Sequence, residues 1–500
     1  MTVMWAERTV DARVLAKEVA SRVETGAALA GLFVSPLDDG STTLRAVLAE
    51  EADLAVIAAV IPSGTVSYPS LTPTLPAAAW YEREIRDLYG LEPVGHPYDD
   101  PLLLPRAQGT PPPRPGPGQR SALVEPDTDA LPRLVGGDGV FTIPLGPVRS
   151  GVFESVEYLV ETPGEDIPYL RTRVYHKHRG VESRFVGLHP SDGVLLAERV
   201  EGVASVSHAI AFCQTIETLA GVHAPEPAWL VRIVHAELER VVNHLDSIIR
   251  HTEGAAQAVA YARFGLHKER LMRLRAELCG HRFGRSVVVP GGVAAPTGSS
   301  PVDAAAKAAS IASALSTDLR LLMATPSFID RLRGTGVIST DVAASLGILG
   351  PVGRGSAEGR DVRRARPYGS YQSLTQGEPF RSSDGDALAR QLVRIAEIEE
   401  SFDIITAALG RLDSDGDWPT AQWVVPAVPD DGWSIGSVEA PQGELLYMVE
   451  VDAGRLSRVK VRSASFHNLA FFRRAFVGDI FTDFAFIEAS FGLSIAGVSL

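Results

Sequence analysis

Apolar residues recur every three or four positions across about 191–220, 226–252, 256–280, 301–324 and 385–410. That spacing lines them up on one helix face and predicts five long helices. Nearer the start the rhythm changes. Helical periodicity around 11–24 precedes apolar runs at 28–36, 43–49 and 53–62, whose lengths suit strands. Trp80-Tyr-Glu-Arg-Glu-Ile-Arg-Asp-Leu-Tyr-Gly90 reads as a short amphipathic helix closed by a C-terminal glycine. Short strands at Val140–Leu145 and Phe153–Val160, alternating strands near 445–463 and a last helix at about 467–476 complete the pattern. Residues 106–135 break it, because Gly-Thr-Pro-Pro-Pro-Arg-Pro-Gly-Pro-Gly at 109–118 can sustain neither a ladder nor a helix. The expected organisation is an α+β small domain at 1–105, an extended linker at 106–135, and a mostly helical large domain with a small sheet at 136–500. No internal repeat is visible.

Composition narrows the class. With 45% hydrophobic and 22% charged residues over 500 positions, the chain has the balance of a globular protein with a sizeable core. Sixty-one acidic against 47 basic residues give a net charge of −14, which argues against nucleic-acid binding. No run of about 18 uncharged apolar residues is present, so no membrane-spanning helix is expected. The first residues lack an apolar signal core after a basic stretch, and an intracellular location is the expectation.

The two cysteines, Cys213 and Cys279, sit in helical patterns and read as small core residues. Two thiolates cannot hold a four-thiolate iron–sulfur cluster. His235 and His244 lie nine residues apart on one helical pattern, which puts them on opposite faces and rejects a zinc helix. Glu237, Glu239 and Arg240 between them read as buried ion pairs linking helices. No G-x-G-x-x-G opens a helix after a strand, and no phosphate loop is present, so nucleotide or nicotinamide binding by this chain is not expected. No nucleophile-elbow string is found either. Two charged strings remain open between a solvated face and a buried polar network able to relay protons. One is His176-Lys-His-Arg-Gly-Val-Glu182. The other is Arg354-Gly-Ser-Ala-Glu-Gly-Arg-Asp-Val-Arg-Arg364, with four arginines around Glu358 and Asp361.

Taken together, the strings resemble a known family. Trp80 through Pro97, with Leu102-Leu-Leu-Pro105 following, is similar to the signature of the 30-kDa subunit of respiratory complex I. Tyr175 to Glu182, Ala197-Glu-Arg199, Ser207 to Cys213 and Glu237 to His244 resemble the 49-kDa subunit and the large subunits of membrane-bound [NiFe] hydrogenases. So do Val289-Pro-Gly-Gly292, Gly350 to Tyr368, Val438 to Glu444 and Arg462 to Asn468. The fusion of both parts in one chain is similar to the large subunits of formate hydrogenlyase and hydrogenase-4. The strings run in the family's order across nearly the whole chain.

The resemblance implies a metal frame from which the thiolates are gone. Such hydrogenases hold nickel and iron with R-x-C-G-x-C and D-P-C-x-x-C strings. Here those fall on Arg199-Val-Glu-Gly-Val-Ala204 and on Gly492-Leu-Ser-Ile-Ala-Gly497, so Glu201, Ala204, Ser494 and Gly497 occupy the ligand positions and no metal ligand is expected. With Leu500 as the last residue read, the histidine-bearing extension of those enzymes is not expected. The complex I pattern is likewise altered. Arg149, in Gly146-Pro-Val-Arg149, stands where the resemblance implies a quinone-head histidine, and Gly202 stands where it implies the tyrosine, while Glu201 matches the carboxylate of that pattern and is a candidate relay or cavity residue. Arg149 would stabilise an anionic quinone head as a fixed cation but delivers no proton.

Glu182 matches the glutamate by which hydrogenases move protons, with a structural pair to Arg179 or Arg354 as the alternative. Asp361 and Arg363 match cavity-lining positions, as does Arg179. The resemblance thus implies a peripheral subunit on the cytoplasmic side of the membrane, joined to it only through partner proteins. An iron–sulfur subunit and membrane-integral subunits are the expected partners. Electrons would pass from the partner's clusters to a quinone or another acceptor, and no cofactor is expected on this chain alone. The alternative is a structural or conformational-coupling subunit without catalysis.

Overall fold

The computed structural model describes residues 5–37, 39–105, 134–149, 154–294, 299–414 and 427–500. Most of the expected linker therefore lies outside the described residues. The N-terminal part opens with β1 (Trp5–Val10), α1 (Leu15–Glu24), β2 (Ala28–Pro36), β3 (Thr42–Ala49) and β4 (Leu54–Ile61). These strands form one sheet in the order β1-β4-β3-β2, antiparallel except for the parallel β1–β4 pair. A small parallel pair, β5 (Ser67–Pro69) and β6 (Glu92–Val94), flanks α2 (Ala79–Tyr89). Gly90 ends α2 at φ 64°, a left-handed turn that glycine adopts without penalty, and its N–H donates to the Arg86 carbonyl.

The second part starts with the antiparallel sheet β7 (Phe141–Leu145), β8 (Glu157–Thr162) and β9 (Tyr169–Arg173). Then come α3 (Pro190–Ala197), α4 (Ser205–Leu219), α5 (Glu226–Gly254) and α6 (Ala258–Cys279), with the two-residue strands β10 (Val288–Val289) and β11 (Gly292–Val293). α7 (Pro301–Met323) starts at Ser300, whose hydroxyl accepts from the Asp303 N–H as an N-cap. Short helices follow: α8 (Pro326–Leu332), α9 (Thr340–Leu346), α10 (Gly350–Arg354), α11 (Val362–Ala365) and α12 (Tyr371–Leu374). α13 (Ala387–Ser414) lies along α5 and α7. The closing sheet, β12 (Gly432–Ala440), β13 (Gly443–Asp452) and β14 (Arg455–Arg462), is antiparallel, and α14 (Ala464–Leu469) and α15 (Phe484–Phe491) end the fold. An N-terminal α+β region precedes a mostly helical region with a small sheet, in line with the fold class read from the pattern.

The two parts share their cores. Phe33, Val47 and Val56 of the N-terminal sheet pack against Ile435, Leu446 and Met448 of the closing sheet. Tyr81 and Ile85 of α2 join Phe466, Phe472 and Phe484 in a second cluster. Removing such rings from water is the main favourable term that holds one part on the other.

Four expectations need correction. The single helix at 191–220 is two, because residues 198–204 turn out of line. Glu201 points into the protein, and the Glu239 carboxylate of α5 accepts from the Val206 and Ser207 N–H groups at 2.7 and 2.9 Å, starting a fresh helix there. The strand expected at Phe153–Val160 is β8, displaced to Glu157–Thr162, and residues 150–153 lie outside the described ones. The last helix at 467–476 is α14 followed by a tighter turn at Phe472–Phe476. Cys213 is fully buried, but Cys279 is only partly so.

Candidate functional site

The two strings that lack cysteine meet inside the large part. Glu201 is 2% exposed and Ala204 is buried at the start of α4. Gln442, on the turn between β12 and β13, donates from Nε2 to Glu201 Oε1 at 2.9 Å. Glu201 Oε2 lies 3.2 Å from His208 Nε2, and His208 Nδ1 lies 2.7 Å from the Tyr447 hydroxyl. Burial pushes the Tyr447 phenol well up, with Glu182 and Glu201 adding to the shift. Gly497 approaches the same carboxylate. A Cβ built on Gly497 would stand 2.4 Å from Glu201 Oε2, so the carboxylate fills the volume of a side chain there.

Arg179 straps the strings together from outside. Its guanidinium donates to the Val200 carbonyl at 2.6 Å and to the Ala496 carbonyl at 2.9 Å. Ser494 donates to Glu154 Oε1 at 3.1 Å, and burial together with the nearby Glu201 charge raises the Glu154 carboxyl. Arg149 does not enter the cavity. It makes a two-pronged pair with Glu488 of α15 at 3.0 and 2.6 Å, and its guanidinium sits 5.1 Å from the Tyr158 ring centre. The cleft that Arg149 and Glu154 line with Leu493 and Ile495 has about 30 Å³ of space among the described residues. That is room for a water molecule.

Glu182 is paired, but with neither arginine considered for it. Lys460 of β14 donates to Glu182 at 2.8 Å and to Glu84 of α2 at 2.6 Å, and the Val461 N–H adds a bond at 3.0 Å. The lysine is buried between two carboxylates from different parts of the chain, which hold it charged against desolvation. Close by, the Tyr81 hydroxyl of α2 lies 3.0 Å from His467 Nδ1 of α14. One sequence-legible carboxylate thus belongs to the seam between the two parts.

Asp361 and Arg363 lie in a third group, beneath β12. Arg363 pairs with Asp361 at 2.8 Å, with Glu400 at 2.9 Å and with Glu237 at 3.2 Å, while Arg354 pairs with Glu397 at 2.8 Å and Glu439 at 3.0 Å. Arg240 joins Glu237 and also donates to the Glu439 and Ala440 carbonyls. The Arg354–Arg364 string is therefore a buried network at Arg354, Asp361 and Arg363, not a solvated face. Glu237 and Arg240 form the expected buried pair, and Glu239 serves α4 and faces Arg275 at 3.7 Å. Among the described residues, the hydrogen bonds and ion pairs of Asp361 and Arg363 run to their own network and not to either cysteine-free string. The link runs through Arg240 and the backbone of β12, down to Gln442.

Sequence reasoning missed His208, Tyr447, Gln442, Lys460, Glu84, Glu154, Glu439 and Glu488. His208, Gln442, Glu439 and Glu84 stood inside strings already singled out. Glu488 and Glu154 carried no such signal.

The comparisons decide the family. Residues 31–115 match the family model of the respiratory-chain NADH dehydrogenase 30 Kd subunit, and residues 254–429 and 423–499 match that of the 49 Kd subunit. The chain is similar to hydrogenase-4 component G of Escherichia coli, with 27% identity over 87% of this chain and 76% of that one. It is similar to formate hydrogenlyase subunit 5 of the same organism, at 26% over 85% and 75%. It also resembles the membrane-bound hydrogenase subunit alpha of Pyrococcus furiosus, at 29% over 70% and 84%. This chain is a fused 30-kDa/49-kDa complex I-like subunit.

Within that family the nickel–iron frame can be tested on the donor set. Nickel bridged to low-spin iron calls for soft thiolates, and the four positions here offer one carboxylate, one hydroxyl, a methyl group and no side chain at all. The carboxylate also takes up the space a side chain at 497 would need. The residues do not fit the metal. Among the described residues, no group of three His, Cys, Asp or Glu side chains is placed to hold a metal ion.

Proposed function

We propose that this fused complex I-like chain is a peripheral subunit that assembles and couples a membrane-associated hydrogenase-4-like or complex I-like oxidoreductase, without a nickel–iron site of its own. The observation that carries this reading is Glu201, enclosed and fully partnered where the frame would have a bridged metal. The nearby carboxylates and arginines form a buried set of linked ion pairs, through which a change of charge at one member bears on the others. Two cysteines leave iron–sulfur clusters to a partner subunit. No helix among the described residues is long and apolar enough to cross a membrane, so attachment on the cytoplasmic side would go through membrane-integral partners. Affinity purification of the tagged chain from native membranes tests this. Co-purifying iron–sulfur and membrane-integral subunits support the reading. A chain recovered alone, with the activity of the membranes left unchanged by its removal, would sink it.

A second reading, electron delivery to a quinone or other acceptor, rests on Arg149 beside the second string. Arg149 would act as a fixed cation toward an anionic head, although Glu488 already neutralises it. In the assembled complex, Arg149→Ala separates the two. Lost acceptor reduction with intact assembly favours electron delivery, and unchanged turnover favours coupling. Glu182→Gln asks the same of a proton relay, which Lys460 now makes a question about the seam.

A further inference from the structure

Residues 199–204 and 492–497 come from distant parts of the chain, yet they pack against each other with no thiolate between them. Something must fix their spacing. The Glu201 side chain reaches the second string, α4 and the β12–β13 turn together. One oxygen accepts from Gln442 on the β12–β13 turn, and the other faces His208 of α4. The same oxygen comes within 2.4 Å of the Cβ position at Gly497, and the carboxyl carbon within 3.0 Å. Ser463 donates to the Gly497 carbonyl at 2.5 Å, and its hydroxyl lies 3.1 Å from the same Cβ position.

We propose that the Glu201 carboxylate is the cross-link that takes the metal's place in this cavity, with Gly497, α4 and the β12–β13 turn assembled around it, and that it excludes a metal from that volume. Three features follow. Position 497 has to lack a side chain, because any Cβ meets the carboxylate. Position 442 has to offer an N–H donor. His208 has to present N–H at Nε2, which requires Nδ1 to accept from the Tyr447 hydroxyl, and that hydroxyl lies at hydrogen-bond distance. His208 and Tyr447 are positioning residues in this arrangement, since they set which atom faces the carboxylate. Arg179, on the carbonyls of both strings, adds a second tie from the outside. The inference concerns the cavity alone, so failure to find partner subunits leaves it standing.

A double-mutant cycle on the full-length chain tests the contact, read as melting temperature. Gly497→Ala is expected to lower the melting temperature by several degrees, because the new methyl group collides with Glu201. In a Glu201→Ala background most of that loss is expected to disappear, since the collision with the carboxylate is gone and the Ser463 hydroxyl, 3.1 Å from the methyl position, needs to give by only a few tenths of an ångström. Additive shifts would overturn the proposal. Should Gly497→Ala fail to fold, a double variant that folds no better also overturns it, and restored folding supports it. A readout indifferent to overall stability comes from nitrogen NMR of the histidine-labelled chain. Nε2–H is the expected tautomer of His208, and its ring signals are expected to shift in Glu201→Gln and in Tyr447→Phe. A His208 protonated at Nδ1, or one indifferent to both substitutions, contradicts the assignment.

Discussion

The cavity around Glu201 and the network around Arg354 are both buried, polar and anchored on β12 or its turn, yet they are built on opposite principles. In the cavity the two oxygens of the Glu201 carboxylate meet an amide, that of Gln442, and an imidazole, that of His208. The network packs the arginines Arg240, Arg354 and Arg363 among Asp361, Glu237, Glu397 and Glu439, so that every charge depends on its neighbours. Burying ions costs more than burying neutral groups, and removing one member strands the others. The difference teaches where this subunit has latitude. A site based on one neutralisable group can be emptied and refitted, whereas an interlocked charge lattice resists piecemeal change.

The largest expected effect is therefore in the network. Arg354→Met removes the guanidinium that pairs with both Glu397 and Glu439 in the interior, and a loss of about 3–5 kcal/mol of stability is expected by chemical denaturation. A loss under about 1 kcal/mol would mean that the two regions do not differ in kind. Next comes Lys460→Met, which strands Glu84 and Glu182 across the seam between the two parts. It is expected to loosen the N-terminal part, seen as faster proteolysis there, and Glu84→Gln in the same chain should restore much of the loss.

The pH dependence sharpens the contrast further. Burial pushes Glu439 up to about 7, with Arg354 opposing the shift and Asp361 adding to it. Its native state thus holds an extra proton between the ordinary value of 4.5 and about 7, so this group's contribution is present at low pH and lost as pH rises through that window. Glu237 runs the other way. Against desolvation, Arg240 and Arg363 hold it at about 2, so its contribution is present above 4.5 and lost as pH falls toward 2. In melts across pH 4–8, Glu439→Gln is expected to flatten the decline toward neutral pH and leave the acid limb in place. An unchanged slope would remove Glu439 from the account. The smallest effect belongs to the cavity. Glu201→Gln keeps an acceptor for Gln442 and offers an amide to His208, whose tautomer can adjust, so about 1 kcal/mol or less is expected.

Much of the scaffold was legible in the chain. The helices α5, α6, α7 and α13 carry sustained 3.6-residue periodicity, and their expected limits fall within a few residues of the observed ones. The break at 198–204 was hidden because Val200 and Val203 continue the apolar rhythm, with no proline to interrupt it. β1 was missed because Glu7 and Arg8 dilute its apolar character, and α15 because Phe484–Phe491 is apolar on almost every side. Glu201 and Arg179 at the cavity, and Asp361 and Arg363 in the separate charge network, could be singled out from strings alone. Their partners could not, since Lys460 lies 278 residues from Glu182 and only the packed fold brings them together. Charge type is local information, but which charge answers which is decided by topology.

The central claim is that the two strings hold a carboxylate instead of a metal. Nickel and iron quantified in the complex purified from native membranes test it most directly, normalised to copies of this chain. Nickel far below one per chain is expected, with iron present only in proportion to the iron–sulfur partner. One nickel per chain, retained through dialysis against a chelator, would contradict the account.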